Sequence, residues 1–407
     1  MLIYEYKLAA TKQQYAAIDE AIRIVQFIRN KCLRKWMDEH GVSKNDLQCY
    51  CASLAKEHLF ASCLNSQARQ ASADRAWSAI ARFYENCKTH KPGKKGYPRF
   101  QHDNRSVEYK QTGWKLEPDG RHIRFTDGCG IGRGNPKQHI ETFPLKQIKR
   151  VRLVRRADGY YVQFGVQAER KIEHVSTGSR VGIDMGLKVF YADSNGKTVE
   201  NPRHYRKAEK QLKRLHRQVS RKQKKSKNRQ RARKQLAKAY LKVQRQREDF
   251  ARKQANALVS SHDLIAYEQL QIRNMVKNHQ LAKSIHDAAW GQFLGWVKSY
   301  AGMHGIAVVA IPLHYTSQDC SGCGELNGKE DLRHAHFEGM HLTISRSPQA
   351  TFAIQRGERV QKTLSTRTHV CPQCGLVLDR DKNAAVNILA KALDGTLGHR
   401  ETHERVS

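Results

Sequence analysis

The spacing of apolar residues divides the first part of the chain into β-rich and helical stretches. Residues 1–10 alternate apolar and polar side chains, which predicts a strand. Apolar residues then recur at helical spacing, and this pattern predicts three helices, over residues 11–41, 45–59 and 66–84. Residues 106–167 return to short β-type runs with glycine-containing turns, which are typical of a small barrel or sandwich. We expect the first strand to join these later strands, so that the helices form an insertion.

A β-hairpin is predicted over residues 179–200. An apolar run ends at Asp184, a second run follows Gly186, and the sequence Asp-Ser-Asn-Gly at residues 193–196 makes a turn before a third strand. Burying a carboxylate is unfavourable unless it is paired or binds a cation. Asp184 therefore either caps a turn or belongs to a cation site, and this stretch alone does not distinguish the two.

The pattern from residue 203 onward predicts basic helices and then an α/β sheet. Residues 203–253 hold 22 Lys and Arg against three acids, with apolar positions at helical spacing and a break near Ser226. We predict two long helices, with one face on a core and the other on phosphates. A short strand ending at Glu268, a helix over 288–304 and a buried strand over 306–311 follow.

Charge narrows the choice of partner. The 407 residues include 73 Lys and Arg against 38 Asp and Glu, for a net charge of +35, so a polyanion such as nucleic acid is the expected partner. A membrane surface is the alternative, but no apolar run approaches the roughly 18 residues of a spanning helix. The N-terminus lacks a signal-peptide pattern. Six cysteines without metal-binding spacing indicate a reducing compartment, so we expect a cytosolic or nucleoid-associated protein: Cys32, Cys49, Cys51, Cys63, Cys87 and Cys129.

Two stretches are candidates for nucleic-acid contact. The basic loop 90–100 combines cations with two aromatic rings, which suits phosphate binding and base stacking, although a solvated linker has a similar composition. The second stretch is the break between the basic helices. The candidate contact residues are Tyr97, Arg99, Phe100, Arg221, Lys222, Lys224, Lys225, Lys227 and Arg229.

Four further cysteines form two Cys-x-x-Cys-Gly motifs: Cys320, Cys323, Cys371 and Cys374. Four thiolates at this spacing favour a tetrahedral zinc site over a redox pair or chance thiols. The interval of residues 324–370 is long for a zinc ribbon, but the motifs can meet if it loops out.

Three acids end or begin predicted elements. Asp184 and Glu268 end strands, and either Asp379 or Asp381 begins a helix, where one of them can be a simple N-cap. In a sheet of this order Asp184, Glu268 and Asp381 can meet at one edge. Three close carboxylates cannot all ionise without cations, and two Mg²⁺ (or Mn²⁺) ions about 4 Å apart would suit phosphodiester cleavage.

These motifs, in this order, resemble the TnpB family of nucleases encoded by insertion sequences. The matching segments extend over nearly the whole chain: GYPRF (96–100), GIDMG (182–186), SRKQKKSKNR (220–229), AYEQL (266–270), TSQDCSGCG (316–324), CPQCG (371–375) and DRDKNAAVN (379–387). The resemblance implies an Mg²⁺-dependent, RNA-guided DNA endonuclease related to type V CRISPR effectors. Its partners would be a structured guide RNA from the element's end and double-stranded target DNA beside a short flanking motif.

The resemblance also implies a multidomain α+β architecture. The expected divisions are a wedge-like β-barrel (1–10 and 96–175), a helical recognition subdomain (11–95), an RNase H-like RuvC core (176–316 and 379–394) containing the basic helices, a zinc-ribbon insert that binds target nucleic acid (317–378) and a flexible tail (395–407).

In the resemblance Asp184, Glu268 and Asp381 bind Mg²⁺ and catalyse cleavage, with Asp379 the lesser candidate, and the four paired cysteines bind Zn²⁺. Two other functions remain open: an RNA-guided DNA-binding regulator without cleavage, and a DNA transposase that uses the acidic triad for strand transfer.

Overall fold

The computed structural model describes residues 1–117, 122–127, 145–168, 170–312, 316–323 and 367–403. The chain divides into two compact units, Met1–Glu169 and Arg170–Ser407. The fold is mixed α/β and multidomain. No helix within the described ranges is both long and apolar enough to cross a membrane.

The first unit contains a four-stranded antiparallel sheet in the order β1-β6-β5-β2. Strand β1 pairs with β6, from Leu2 opposite Val166 to Lys7 opposite Tyr161. This pairing confirms that the N-terminal strand joins the later β-rich segment. The described strands leave this sheet open, and β3 and β4 form a separate hairpin, so a closed barrel is not seen in them. The strands are β1 (Leu2–Lys7), β2 (Ser106–Tyr109), β3 (Trp114–Leu116), β4 (Ile123–Phe125), β5 (Ile148–Arg156) and β6 (Gly159–Val166).

Helices inserted between β1 and β2 share one core with this sheet. They are α1 (Lys12–Asp38), α2 (Lys44–Glu57), α3 (Leu59–Ser62) and α4 (Ser66–Lys88). Capping boxes fix two of the starts: Thr11 with Gln14 for α1, and Ser43 with Asp46 for α2. The predicted third helix is one turn short, because α4 continues to Lys88. Cys129 and the Pro-Asp-Gly segment at residues 118–120, one of the predicted glycine-containing turns, lie outside the described residues.

The second unit is built on a five-stranded sheet in the order β11-β10-β7-β8-β9. Strand β10 is parallel to both neighbours, whereas β7, β8 and β9 form an antiparallel meander, as the hairpin prediction requires. The strand predicted over residues 306–311 is present, but the prediction that it is buried is wrong. Strand β11 lies at the sheet edge, where Ala307 and Ala310 are exposed. The strands are β7 (Arg180–Met185), β8 (Val189–Asp193), β9 (Thr198–Glu200), β10 (Leu264–Glu268) and β11 (Ala307–Ile311).

Helices cover both faces of this sheet. They are α5 (His204–Ser220), α6 (Lys227–Ser261), α7 (Ile272–Met275), α8 (His279–Ala288), α9 (Trp290–His304) and α10 (Arg380–His403). On one face Val181, Ile183 and Ile265 pack with residues of α6 and α9, including Leu258 and Phe293. On the other face Ala266 and Ile311 pack with α10. The predicted break in the basic helices is confirmed, since Ser226 caps α6. A short antiparallel pair, β12 (Thr368–Val370) and β13 (Val377–Asp379), precedes α10.

Gly182 allows the backbone of α10 to touch β7. A Cβ atom at this position would lie 2.1 Å from the carbonyl oxygen of Ala385 and 2.8 Å from the nitrogen of Leu389. Since both atoms belong to helix backbone, they cannot move aside as a flexible side chain could. The first glycine of the Gly-Ile-Asp-Met-Gly segment is therefore required by the close approach of helix and strand.

We predict that Gly182→Ala lowers the free energy of unfolding by at least about 2 kcal/mol, because overpacking against backbone forces α10 away from the sheet. Gly295→Ala is the matched control, since no atom lies within 4 Å of a Cβ there, and it should leave stability unchanged or slightly higher. Urea unfolding of both variants measures the effect. Equal stabilities of the two variants would contradict the packing argument.

Candidate functional site

Asp184 and Glu268 end neighbouring parallel strands. Ile183 of β7 pairs with Tyr267 of β10, so the two acids follow the last paired positions at the same edge of the sheet. Side chains two apart on a strand share a face, which places Asp184 on the face of Gly182 and Glu268 on the face of Ala266. That is the face covered by α10.

Asp381 reaches the same region from the first turn of α10. The Oδ1 atom of Asp379 accepts hydrogen bonds from the backbone nitrogens of Asp381 (2.9 Å) and Lys382 (3.1 Å), so Asp379 is the N-cap. The side chain of Asp379 is exposed, whereas that of Asp381 is about a quarter exposed and lies 3.9 Å from the Nη1 atom of Arg367. Asp379 thus has a capping role, which leaves Asp381 as the candidate for the acid site.

The charges of the other two acids act on Asp184. Burial raises the pKa of Asp184, and the negative charges of Glu268 and Asp381 raise it further. The guanidinium of Arg380 opposes this effect only in part, and the pKa of Asp184 reaches about 7. The fully ionised site therefore calls for positive charge, and carboxylate oxygens are the donors that Mg²⁺ and Mn²⁺ prefer.

The four predicted cysteines converge. The Sγ atoms of Cys320, Cys323, Cys371 and Cys374 all lie within 4.8 Å of one another. Two of the sulfur pairs are 3.7 Å apart, close to the spacing of about 3.8 Å around a tetrahedral zinc ion with Zn–S bonds of about 2.3 Å. Within the described ranges no other set of metal-binding side chains converges in this way. The carboxylate oxygens of Asp184, Glu268 and Asp381 therefore do not all lie as close to one another as the cysteine sulfurs do.

The environment of Cys371 favours the thiolate that a metal needs. Burial opposes ionisation, but hydrogen bonds from the backbone nitrogens of Cys374 and Gln373 and from the thiols of Cys320 and Cys323 outweigh it. Together they lower the pKa of Cys371 to about 7. The residues between 323 and 367 lie outside the described part, and the two motifs that flank this interval meet in the cysteine cluster.

The loop candidates occupy different environments. Tyr97 is 54% exposed and its ring packs beside those of Trp36 and Phe83. Phe100 packs against the core of the first unit with Arg34 over its ring. Arg99 is exposed, and its carbonyl oxygen accepts a hydrogen bond from Arg29. Tyr97 is thus the aromatic side chain of this loop that offers a ring to a partner.

Most of the predicted cations at the helical break are exposed: Arg221, Lys222, Lys224, Lys225 and Lys227. Arg229 is different. Its Nη1 atom donates hydrogen bonds to the carbonyl oxygens of Val219 (3.2 Å) and Lys222 (3.0 Å), so it closes the connection between α5 and α6.

Sequence reasoning missed Thr316. Its hydroxyl donates a 2.7 Å hydrogen bond to the Oε1 atom of Glu268, and both residues are buried. The available signal was its place in the Thr-Ser-Gln-Asp-Cys segment, just ahead of the first cysteine motif.

Two family models match the chain. The OrfB_IS605 model, described as "Probable transposase", matches residues 163–279, which include Asp184 and Glu268. The model "Cas12f1-like, TNB domain" matches residues 290–388, which include the four cysteines and Asp381.

Curated relatives match part of their own length. A Streptomyces pristinaespiralis protein named "Putative RNA-guided DNA endonuclease" is 32% identical over 234 residues, which cover 56% of this chain and 50% of that protein. "Putative RNA-guided DNA endonuclease InsQ" of Escherichia coli (strain K12) is 26% identical over 258 residues, which cover 59% of this chain and 63% of that protein. The chain therefore spans about half of the first of these relatives and about three fifths of the second.

The fold is similar to a chain in the structure titled "Cryo-EM structure of the Cas12f1-sgRNA-target DNA complex". The TM-score is 0.52 at 11% sequence identity, and the alignment covers 93% of this chain and 83% of that chain. At this identity the similarity concerns the fold alone.

The raised pKa of Asp184 predicts a pH effect on stability. A carboxyl whose folded pKa is raised contributes stability that is complete below about pH 4 and is lost as pH rises through about 7. Asp184→Asn should thus stabilise the protein by up to about 4 kcal/mol at pH 8, in buffer free of Mg²⁺ and Mn²⁺, and have little effect at pH 4.

Unfolding in urea at the two pH values measures this difference. Asp287→Asn is the control, because the buried Asp287 carboxylate accepts hydrogen bonds from the backbone nitrogens of Tyr205 and Arg206 and should gain nothing by neutralisation. An Asp184→Asn protein no more stable than the wild type at pH 8 would contradict the proposed repulsion.

The cysteine geometry predicts about one zinc ion per chain. Cys371→Ser should lose zinc and unfold at a lower temperature, because a structural zinc contributes directly to folding. Cys49→Ser, at an exposed free cysteine, should retain both properties. Elemental analysis with thermal unfolding measures them, and wild-type protein with well under one zinc per chain would refute the site.

Proposed function

We propose that this chain, a TnpB-like protein, is an RNA-guided DNA endonuclease of a transposable element. The observation that carries the proposal is that Asp184, Glu268 and Asp381 lie near one edge of the sheet, where the charges of Glu268 and Asp381 raise the pKa of Asp184. The names of the curated relatives support the same class of activity.

In this proposal the acids would hold two Mg²⁺ or Mn²⁺ ions. When bound, such a pair stabilises the charge on the attacking and leaving oxygens of a phosphodiester. The chain's part is to fix the ligands: β7 and β10 hold Asp184 and Glu268 on adjacent rigid strands, and the Asp379 cap holds the first turn of α10 that carries Asp381. Thr316 restrains one oxygen of Glu268 through its hydroxyl.

The proposal assigns an RNase H-like RuvC architecture to the five-stranded sheet and its helices. Its support is the parallel placement of β10 beside an antiparallel β7-β8-β9 meander, with helices on both faces. The cysteine cluster would be the zinc ribbon of a module that binds target nucleic acid. The first unit would be the wedge-like and helical part, and the finer domain limits given above stay predictions.

Guide RNA and target DNA are the proposed partners. The connection between α5 and α6 presents exposed cations on both sides of Ser226, a surface suited to a phosphate backbone. In the first unit, the exposed ring of Tyr97 and the neighbouring Arg99 offer stacking and charge to nucleic acid.

A second candidate is a transposase that joins DNA strands, which the description of the first family model favours. A regulator that binds DNA without cutting it is the third. The presence of all three acids favours cleavage over the regulator. Strand transfer of a donor end without any RNA would favour the transposase.

Asp184→Ala should abolish guided cleavage of duplex DNA, by at least about a thousandfold, while RNA-guided binding persists. One of the three carboxylates that would hold the cations is lost, but no Lys or Arg that would bind phosphate is changed. Cleavage and binding are measured with the RNA that co-purifies when the chain is expressed with its flanking genomic DNA.

The two aspartates of α10 provide a matched pair of controls. Asp381→Asn should lose cleavage, whereas Asp379→Ser should keep most of it, because serine also caps a helix. Cleavage that survives Asp184→Ala, or that depends on Asp379 rather than Asp381, would contradict the assignment.

A further inference from the structure

Two asparagines of α10 hold the segment that carries the first cysteine motif. The amide nitrogen Nδ2 of Asn383 donates to the carbonyl oxygen of Asp319 (2.8 Å), and its Oδ1 atom accepts from the backbone nitrogen of Ser321 (3.0 Å). The Nδ2 atom of Asn387 donates to the carbonyl oxygens of Thr316 (2.8 Å) and Asp319 (2.9 Å). Both side chains are buried, and their spacing of four places them on one face of the helix.

These hydrogen bonds fix the path of a short backbone segment. Residues 316–323 form turns and no strand, so the asparagine amides supply backbone hydrogen bonds where a paired strand does not. Lys391, one further turn along α10, adds an ion pair with Asp319 at 3.1 Å. The C-terminal end of the segment carries Cys320 and Cys323, and the cysteine cluster anchors it there.

The N-terminal end of the same segment touches the acid site. The Thr316 hydroxyl donates to the Oε1 atom of Glu268, while the Thr316 carbonyl is held by Asn387. One residue therefore connects an acid of the site to the helix that carries Asp381. From Cys320 the connection runs through the segment's backbone to Thr316 and then through one side-chain hydrogen bond to Glu268.

We propose that Thr316 is a positioning residue for Glu268, and that Asn387, Asn383 and the filled cysteine cluster hold Thr316 in place. The cysteine cluster thereby sets the affinity of the acid site for a divalent cation. This inference rests on the proposed function, since it takes the acid site to bind such a cation.

The physical reason is the flexibility of a glutamate. The Thr316 hydrogen bond restricts the carboxylate of Glu268 to one orientation and leaves the second oxygen, Oε2, available to a cation. Partners of this kind behind a metal ligand typically change metal affinity by 10- to 100-fold when removed. A loosened 316–323 segment should therefore weaken cation binding although every ligand remains.

The test is Mn²⁺ binding to the full-length, zinc-loaded protein, measured by electron paramagnetic resonance. Mn²⁺ prefers oxygen ligands and does not compete for thiolates. Wild-type binding that disappears in Asp184→Asn identifies the acid site. Thr316→Val should then weaken this binding by about tenfold or more, and Thr316→Ser, which retains the hydroxyl, should restore it.

Asn387→Leu and Cys371→Ser test the anchors at a distance from the acids. Both should weaken Mn²⁺ binding in the same direction as Thr316→Val. Asn104→Leu is the matched control in the first unit, because Asn104 is also buried and its Nδ2 atom also bridges two carbonyls, those of Ile22 and Ser106. It should lower stability without changing Mn²⁺ affinity.

The outcomes separate this inference from the proposed function. Wild-type protein without Asp184-dependent Mn²⁺ binding would overturn both. Wild-type binding together with unchanged affinity in Thr316→Val would overturn the inference alone. Thermal unfolding of each variant shows that it is folded, and Thr316→Val keeps the test valid if Asn387→Leu does not fold.

Discussion

The backbone contact between α10 and β7 at Gly182 places the candidate functional groups that α10 carries against the sheet. Because the backbone of α10 lies so close to the strand, the helix cannot shift or rotate over the sheet without a clash or a loss of contact. Asp381, in the first turn, is thereby brought to the strand ends that carry Asp184 and Glu268. Asn383 and Asn387 on the same helix then hold the segment leading to the cysteines. Because Gly182 carries a hydrogen atom instead of a methyl group, α10 can take the position on which both the acid site and the cysteine cluster depend.

Without a cation, the buried negative charges of the acid site destabilise the folded protein. Burial and two like charges raise the pKa of Asp184 to about 7, so the cation-free site is favoured only while it retains a proton. Rigid neighbours maintain this unfavourable arrangement: adjacent parallel strands, a capped helix and the Thr316 hydroxyl. Cys371 of the cysteine cluster is the opposite case, because hydrogen bonds from backbone nitrogens and from neighbouring thiols outweigh burial and lower its pKa, which favours the thiolate that binds a metal.

Local patterns in the sequence predict the order of strands and helices, the break at Ser226 and the two cysteine motifs, because each depends on neighbouring residues. The meeting of Asp184 with Glu268 depends on strand register between distant segments, which no local pattern contains. The choice between Asp379 and Asp381 depends on two backbone hydrogen bonds. Arg229 and Phe100 are of residue types that commonly bind nucleic acid. In the structure, however, Arg229 donates hydrogen bonds to carbonyl oxygens and Phe100 packs against a core. Ala307 and Ala310 are exposed because β11 is an edge strand, which its apolar sequence does not indicate.

The most direct test of this account is anomalous X-ray scattering from crystals of the protein soaked in Mn²⁺, with data collected at the manganese and zinc edges. The account predicts manganese between the carboxylates of Asp184, Glu268 and Asp381, and zinc among the four cysteines. Zinc at the cysteines with no manganese at the three acids, under conditions that support cleavage, would contradict it.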